Sequence, residues 1–317
     1  MTLPNTLKAI PVFYRPQQNA SREAASISPS AAKPGPVVDS WKKLGVPLDI
    51  RSFKPLSRAE LSAAHAPEYI DGVMDLDLEN GFGNFDAGIA MSLPLTSGSF
   101  VAAALCAWRH GGVAVSPTSG FHHAGYRFGG GFCTFNGLAI AAAQLLKAGV
   151  KKLAILDCDA HHGNGTEDIL KRVAGFKKRV LHYTRGAVHY RGPANEAQAF
   201  LDYLPKLLAQ WKEEEVEVVL YQAGADPHLD DPIGCQFLST EQLHARDTAV
   251  FQACADLGLP IAWNLAGGYQ EDDSLPWPQS IRKVLDIHDN TMRASAAAFL
   301  EVPVQTRNPT RHTSRVT

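Results

Sequence analysis

No pair of cysteines in this sequence is spaced as CxxC, and the five present, Cys106, Cys133, Cys158, Cys235 and Cys254, are odd in number. That argues against a disulfide framework and against a four-cysteine zinc site. An excess of one charge is missing too. Lys and Arg number 30 against 32 Asp and Glu, a formal net charge of −2. No field over the whole surface would draw nucleic acid or an anionic membrane. Long apolar runs are absent: the longest, Gly137–Leu146 (GLAIAAAQLL), is far below the roughly 20 residues that span a bilayer. The opening MTLPNTLKAIPVFYRPQ has Pro and Arg inside any would-be apolar core, so it does not read as a secretory signal. No internal repeat appears. A soluble chain in the reducing cytoplasm is the expectation.

What is present is ordinary for a globular protein. Of 317 residues, 45% are apolar and 20% charged, which excludes wholesale disorder. The pattern predicts an α/β fold: one domain over residues 1–300 and a polar, basic, flexible tail over 301–317. Short runs rich in β-branched residues read as buried strands at Gly112–Val115, Lys151–Asp157, Arg179–Tyr183, Val216–Gln222 and Pro260–Leu265. Helices are expected at Thr134–Ala148, Gly165–Val173, Glu196–Glu214, Ser239–Leu257 and Trp277–Phe299, with Ser239 or Thr240 as a cap. That alternation predicts an open, mainly parallel sheet of about eight strands with helices on both faces. The first 110 residues are less regular. Ala20–Val38 reads as a loop, Arg58–Ala64 and Pro67–Met74 as short helices, and Ser97–Arg109 as an Ala-rich helix.

Histidine is the outlying count, with 12. Several lie in polar segments that directly follow predicted strands, where open α/β sheets hold their ligands. Asp157-Cys158-Asp159-Ala160-His161-His162-Gly163-Asn164 packs two Asp and two His into six residues, groups that are costly to bury without partners. Gly224-Ala225-Asp226-Pro227-His228-Leu229-Asp230-Asp231 follows another strand. Asp159, His161 and Asp226 could then converge as three metal ligands, leaving the open fourth position of a catalytic zinc. Asp230 and Asp231 read instead as a surface turn. Ser119-Gly120-Phe121-His122-His123 is followed by the glycine run Gly129–Gly131 and by Phe132. Ala266-Gly267-Gly268-Tyr269 turns a tyrosine hydroxyl toward the same sheet edge.

Together the segments GFHHAG, GGGFCTFN, LDCDAHHGNGT, YQAGADPHLDDPIG and LAGGY resemble the histone deacetylase superfamily, which includes acetylpolyamine amidohydrolases. They stand in that family's order from about Ser116 to Tyr269, and His65–Asp71 (HAPEYID) resembles it less strictly. The resemblance implies the arginase/deacetylase fold and a zinc-dependent amidohydrolase. Its substrate would be acetyl-lysine protein or a small acetylated amine. Asp159, His161 and Asp226 would bind Zn2+. His123 would be general base and acid, with His122 as its electrostatic partner, Asp157 orienting His122, and Asn164 facing His123. Tyr269 would donate to the oxyanion, and Gly131 and Phe132 would wall the channel.

Three departures bear on these expectations. The stretch TRGAVHYRGPANEAQAF is short where many relatives carry a long glycine-rich loop, so a different rim is expected around His182 and His189. Relatives often place a hydroxyl near Val180 as part of a potassium site; Val180 has no side-chain oxygen, which argues against K+. Asn164 is neutral where some relatives have Asp. Glu79, Asp86 and Asp230 are the acidic candidates for a cationic substrate if they reach the rim. The tail (Arg307, Arg311, Arg315) reads as solvated rather than as a nucleic-acid contact. Two alternatives stand beside this reading. An arginase-like binuclear ureohydrolase needs a further Asp where His162-Gly163 stands. An inactive acyl-amine binder would be expected to lose a ligand, the His pair or the Tyr, and none is lost. Oligomeric state is not readable.

Overall fold

Short apolar strands separated by helices have one economical way to satisfy their backbones, which is to lie parallel in a single sheet. The computed structural model describes residues 7–22, 27–188 and 194–301 and contains that sheet. Its strands are β1 (Ile10–Phe13), β2 (Leu48–Arg51), β3 (Val113–Ser119), β4 (Leu153–Asp157), β5 (Val180–Thr184), β6 (Val219–Gly224) and β7 (Ile261–Ala266). They run in the order β2-β1-β3-β7-β6-β4-β5, and each neighbouring pair is parallel. Among the described residues there are thus seven strands rather than about eight. The two that sequence reading missed are four-residue strands at one edge of the sheet, too short to show a period.

Alternate strand residues feed two separate cores, as a period of two demands. Val113, Val115, Ala154, Leu156, Val219, Tyr221, Ile261 and Trp263 point to one face. There they meet residues of helices Pro34–Trp41, Ala194–Glu213, Thr240–Asp256 and Arg282–Phe299. Ala114, Leu153, Ile155, Val218, Leu220 and Ala262 point to the other, against residues of Pro67–Met74, Ala87–His110, Gly137–Ala148 and Asn164–Arg172. Both faces of the inner strands are therefore covered, which is why they read as continuous apolar runs.

Three local expectations change. The loop expected over Ala20–Val38 ends in a helix, Pro34–Trp41, with Pro34 in its first turn, where its missing N–H costs nothing. The Ala-rich helix starts ten residues earlier than expected. It spans Ala87–His110, is capped by Asp86 accepting from the Ile89 N–H at 2.8 Å, and passes through Pro94. Gly137–Leu146 is therefore not the longest apolar helical segment. Ala87–His110 is long and apolar enough to cross a bilayer by composition, yet 72% of its most apolar window is buried within the fold, so it is a core helix. Ser239 caps its helix as expected, exchanging bonds with Gln242. The predicted flexible tail, from Val302 on, lies outside the described residues.

His65 ties the irregular N-terminal part to the rest. Its Nε2 accepts from the Asn136 backbone N–H at 2.8 Å. Its Nδ1 must then carry the proton and donates to the Gly125 carbonyl at 2.8 Å. Burial, against the opposing pull of that carbonyl, lowers its pKa to about 4. The unfolded chain, with a histidine pKa near 6.5, takes up this proton first as pH falls. Stability is therefore full above about pH 6.5 and declines toward pH 4, by about 3 kcal/mol from this residue. Denaturant midpoints measured from pH 7.5 to 4.5 should fall, and His65→Gln should start lower but fall less steeply. Parallel curves for the two proteins would refute this assignment.

Candidate metal centre and catalytic cluster

The central strands β3, β7, β6 and β4 are neighbours in the sheet, and each one's carboxyl end leads into one of the singled-out segments. Parallel pairing brings all four ends to one edge, the usual place for a ligand in such sheets.

Asp159, His161 and Asp226 each offer one ligand atom, and these atoms lie within 4.8 Å of one another. His161 Nδ1 is 2.8 Å from Asp226 Oδ2 and 3.2 Å from Asp159 Oδ1. Its Nε2 lies 3.1 Å from the Ile233 carbonyl, which only an N–H can satisfy. Metal-binding histidines are commonly fixed by such a carbonyl, which turns the other nitrogen toward the ion. The two carboxylates are buried together, and the charges reflect it. Hydrogen bonds that His161 donates to Asp159 and Asp226 push its pKa up to about 11. Burial and the nearby Asp159 push Asp226 up to about 7. Burial opposes the charge on Asp159, but His122 and His161 outweigh it and hold that carboxyl well below its usual range. Two carboxylates and an imidazole so arranged could hold a cation. An N,O donor set of this kind fits zinc. Gly267 (φ 53°) is required here, because a Cβ at that position would lie 2.3 Å from the Asp226 carboxyl carbon.

The two histidines after β3 shift in opposite directions, one toward the charged form and one toward the neutral form. His122 is buried with Nδ1 2.7 Å from Asp157 Oδ2 and Nε2 3.5 Å from Asp159 Oδ1. Burial works against its charge, but Asp157 and Asp159 prevail and raise its pKa to about 9. Asp157 is itself held by Gln222 Nε2 at 3.1 Å and the Asp159 N–H at 3.2 Å. His123 lies beside His122, ring centres 4.1 Å apart, and its Nδ1 is 2.7 Å from Asn164 Oδ1. Burial and the charged His122 lower its pKa to about 4. An amide oxygen can only accept, so Nδ1 donates and His123 Nε2 is a free base.

Tyr269 faces the same centre. Burial and the charges of Asp226 and Asp159 raise its hydroxyl well above 10, so it stays a donor. Phe132 sits 5.7 Å from the Tyr269 ring and 5.7 Å from Phe82, which makes a row of three aromatic rings. Gly131 (φ 53°) lets this segment pass against His123, since a Cβ there would lie 2.4 Å from the imidazole.

Sequence reading missed several supports. Asp231 is not on a surface turn. It is buried and accepts from the backbone N–H groups of Tyr269 (2.9 Å), Gly234 (2.8 Å) and Ile233 (3.1 Å), so it fixes the tyrosine turn. Lys33, fully buried, donates to the Gly267 carbonyl on the other side of that turn. Burial lowers its pKa to about 8 against the pull of Asp226, Asp231 and Asp159. Phe82 gave no signal beyond being aromatic. Val180 pairs with Leu153 at the end of β5 away from the site, whereas Thr184 stands opposite Asp157. Thr184 Oγ1 accepts from the Gly163 N–H at 2.9 Å, so a hydroxyl is present at the strand end after all.

The other candidates are placed as follows. His162 pairs with Glu167 at 2.9 Å beside the site. His228 bonds to Thr240, Gln270 and the Asp230 N–H. Asp230 lines a groove with Tyr269, while Asp86 is a helix cap and Glu79 is exposed. His182, on β5, is half-buried near Asp157. The shortened segment begins as one helical turn, Arg185–Val188, and His189 lies outside the described residues.

A family model described as the histone deacetylase domain matches residues 32–185 and 189–284. The acetylpolyamine amidohydrolase of Mycoplana ramosa is 44% identical over 174 residues, covering 47% of this chain and 49% of that protein. Histone deacetylase 15 of Arabidopsis thaliana is 30% identical over 216 residues, covering 57% of this chain and 39% of that protein. The matched part of the chain thus spans half or less of these two relatives. The HD domain of HDA15 shares the fold, with a TM-score of 0.71 at 20% identity over 94% of this chain and 91% of that one. So does an acetylpolyamine aminohydrolase from Burkholderia pseudomallei, with a TM-score of 0.68 at 18% identity over 92% of this chain and 100% of that one.

Proposed function

Because the chain belongs to the histone deacetylase family, we propose that it is a zinc-dependent deacetylase that hydrolyses an N-acetyl or N-acyl amine to a free amine and a carboxylate. One observation carries this reading. A neutral base, His123, and a protonated phenol, Tyr269, face a three-ligand group that could hold a cation. Asp159, His161 and Asp226 would hold zinc, which supplies Lewis acidity to the amide carbonyl and to a water.

The remaining steps belong to the chain's own residues. His123 Nε2 takes a proton as the water oxygen bonds to the carbonyl carbon. Asn164 keeps the other ring nitrogen protonated, so one lone pair alone is offered. Charged His122, anchored by Asp157, keeps His123 neutral until that moment and then stands beside a tetrahedral oxyanion of opposite charge. Tyr269 donates its O–H to that oxyanion. His123 passes its proton to the nitrogen as the C–N bond breaks. Phe132 and Gly131 wall the approach. The names of the relatives offer two substrate classes, acetylated polyamines and histones.

The test is a substrate panel on the zinc-loaded chain: a fluorogenic acetyl-lysine amide, an acetylpolyamine, and a longer acyl-lysine. Turnover of at least one, blocked by a hydroxamate, is expected. A chain holding one zinc yet inactive on all three would sink the enzyme reading in favour of an acyl-amine binder.

A further inference from the structure

The ladder between β4 and β6 ends at the pair Asp157 and Gln222, before either proposed carboxylate ligand is reached. Asp159 lies two residues beyond that point on one strand and Asp226 four beyond on the other. Beyond that point the Ala160 N–H donates to Asp226 Oδ1 at 3.0 Å, and a buried arginine also spans the gap. Arg246, on helix Thr240–Asp256, has no exposed surface. Its Nη1 donates to the Gly224 carbonyl at 2.7 Å and to the Cys158 carbonyl at 3.2 Å. Those carbonyls belong to the residue just before Asp159 and the residue two before Asp226. The guanidinium is aimed by Asp247, which takes its Nε at 2.8 Å. Asp247 is in turn held by the Tyr221 hydroxyl and by Thr291 Oγ1 at 2.6 Å. Every group in this network is buried, and none of them touches the place a substrate would occupy.

We propose that Arg246 is a positioning residue for the metal: by joining the Cys158 and Gly224 carbonyls it sets the spacing between Asp159 and Asp226. The inference rests on the reading of Asp159, His161 and Asp226 as zinc ligands. Lysine at this position keeps a positive charge beside Asp247 but lacks the rigid planar fork that aims two donors.

The experiment measures zinc affinity of the folded, metal-free protein by competition with a chelator, alongside thermal melting. Arg246→Lys should bind zinc about 10- to 100-fold more weakly, the range found when supports of metal ligands are removed. Thr291→Val removes one bond from the same network without reaching the carbonyls. It should melt lower and bind zinc as wild type does. Should Arg246→Lys not fold, Arg246→Gln, whose amide can reach one carbonyl, is held to the same expectation. Unchanged zinc affinity in the Arg246 variant overturns the inference, as does an equal loss in Thr291→Val, which would mark general loosening. A wild-type chain that takes up no zinc overturns the zinc reading itself, a separate result.

Discussion

On the proposed zinc reading, replacing Asp226 with alanine should abolish zinc binding and take amide hydrolysis to background. Asp226 serves the centre in three ways. It is one of three ligand atoms, it is the nearer carboxylate to His161 Nδ1 (2.8 Å), and it accepts from the Ala160 N–H at 3.0 Å, between the other two ligands. Removing a single oxyanion donor costs hydrolases about 10²–10³ in rate. Loss of the Lewis acid removes more than one such contribution. The fold should survive, because Asp226 is crowded against Asp159 and its carboxyl is pushed up to about 7. Its removal relieves buried charge instead of leaving a charge unpaired. Metal analysis by mass spectrometry, with circular dichroism as control, reads the result. One equivalent of zinc retained by Asp226→Ala would place the metal elsewhere.

His123→Ala separates chemistry from metal binding. Its imidazole makes no part of the ligand trio, so zinc content should match wild type. Loss of a general base lowers kcat by about 10²–10⁴-fold, with KM little changed, since no ground-state contact is removed. Wild-type kcat in this variant would pass the proton to another group, and no other neutral imidazole described here stands so near the trio (ring centres 5.9 Å from His161).

The site was legible because its chemistry is local in sequence. Each of the four segments follows a strand, and strand ends of a parallel sheet share an edge, so Asp159, His161 and Asp226 could be grouped without knowing the strand order. Residues that act across the fold were not legible. Lys33 and Arg246 look like surface charges until burial is known. Asp231 sits in a D-D-P stretch that reads as a turn, and nothing local shows that its carboxylate caps the tyrosine loop from 38 residues away. Which residue of β5 reaches the site edge cannot be read without register: it is Thr184, opposite Asp157, and not Val180. The first 110 residues were hardest. The two outermost strands on that side have four residues each, and the helix read from Ser97 starts ten residues earlier and runs through Pro94.

The strand order also bears on how the protein is made. β3 and β4 are consecutive in the chain but have β7 and β6 between them in the sheet. A ribosome delivers His122 and His123 early, Asp159 and His161 next, Asp226 later, and Tyr269 with the strand that must slot in beside β3. Until that last strand emerges, the two halves of the centre have no shared edge on which to meet. A nascent chain therefore holds a pair of histidines and a separate acidic loop, neither of which is a competent hydrolase. On the proposed reading, the site can assemble only once β7 has emerged and paired between β3 and β6.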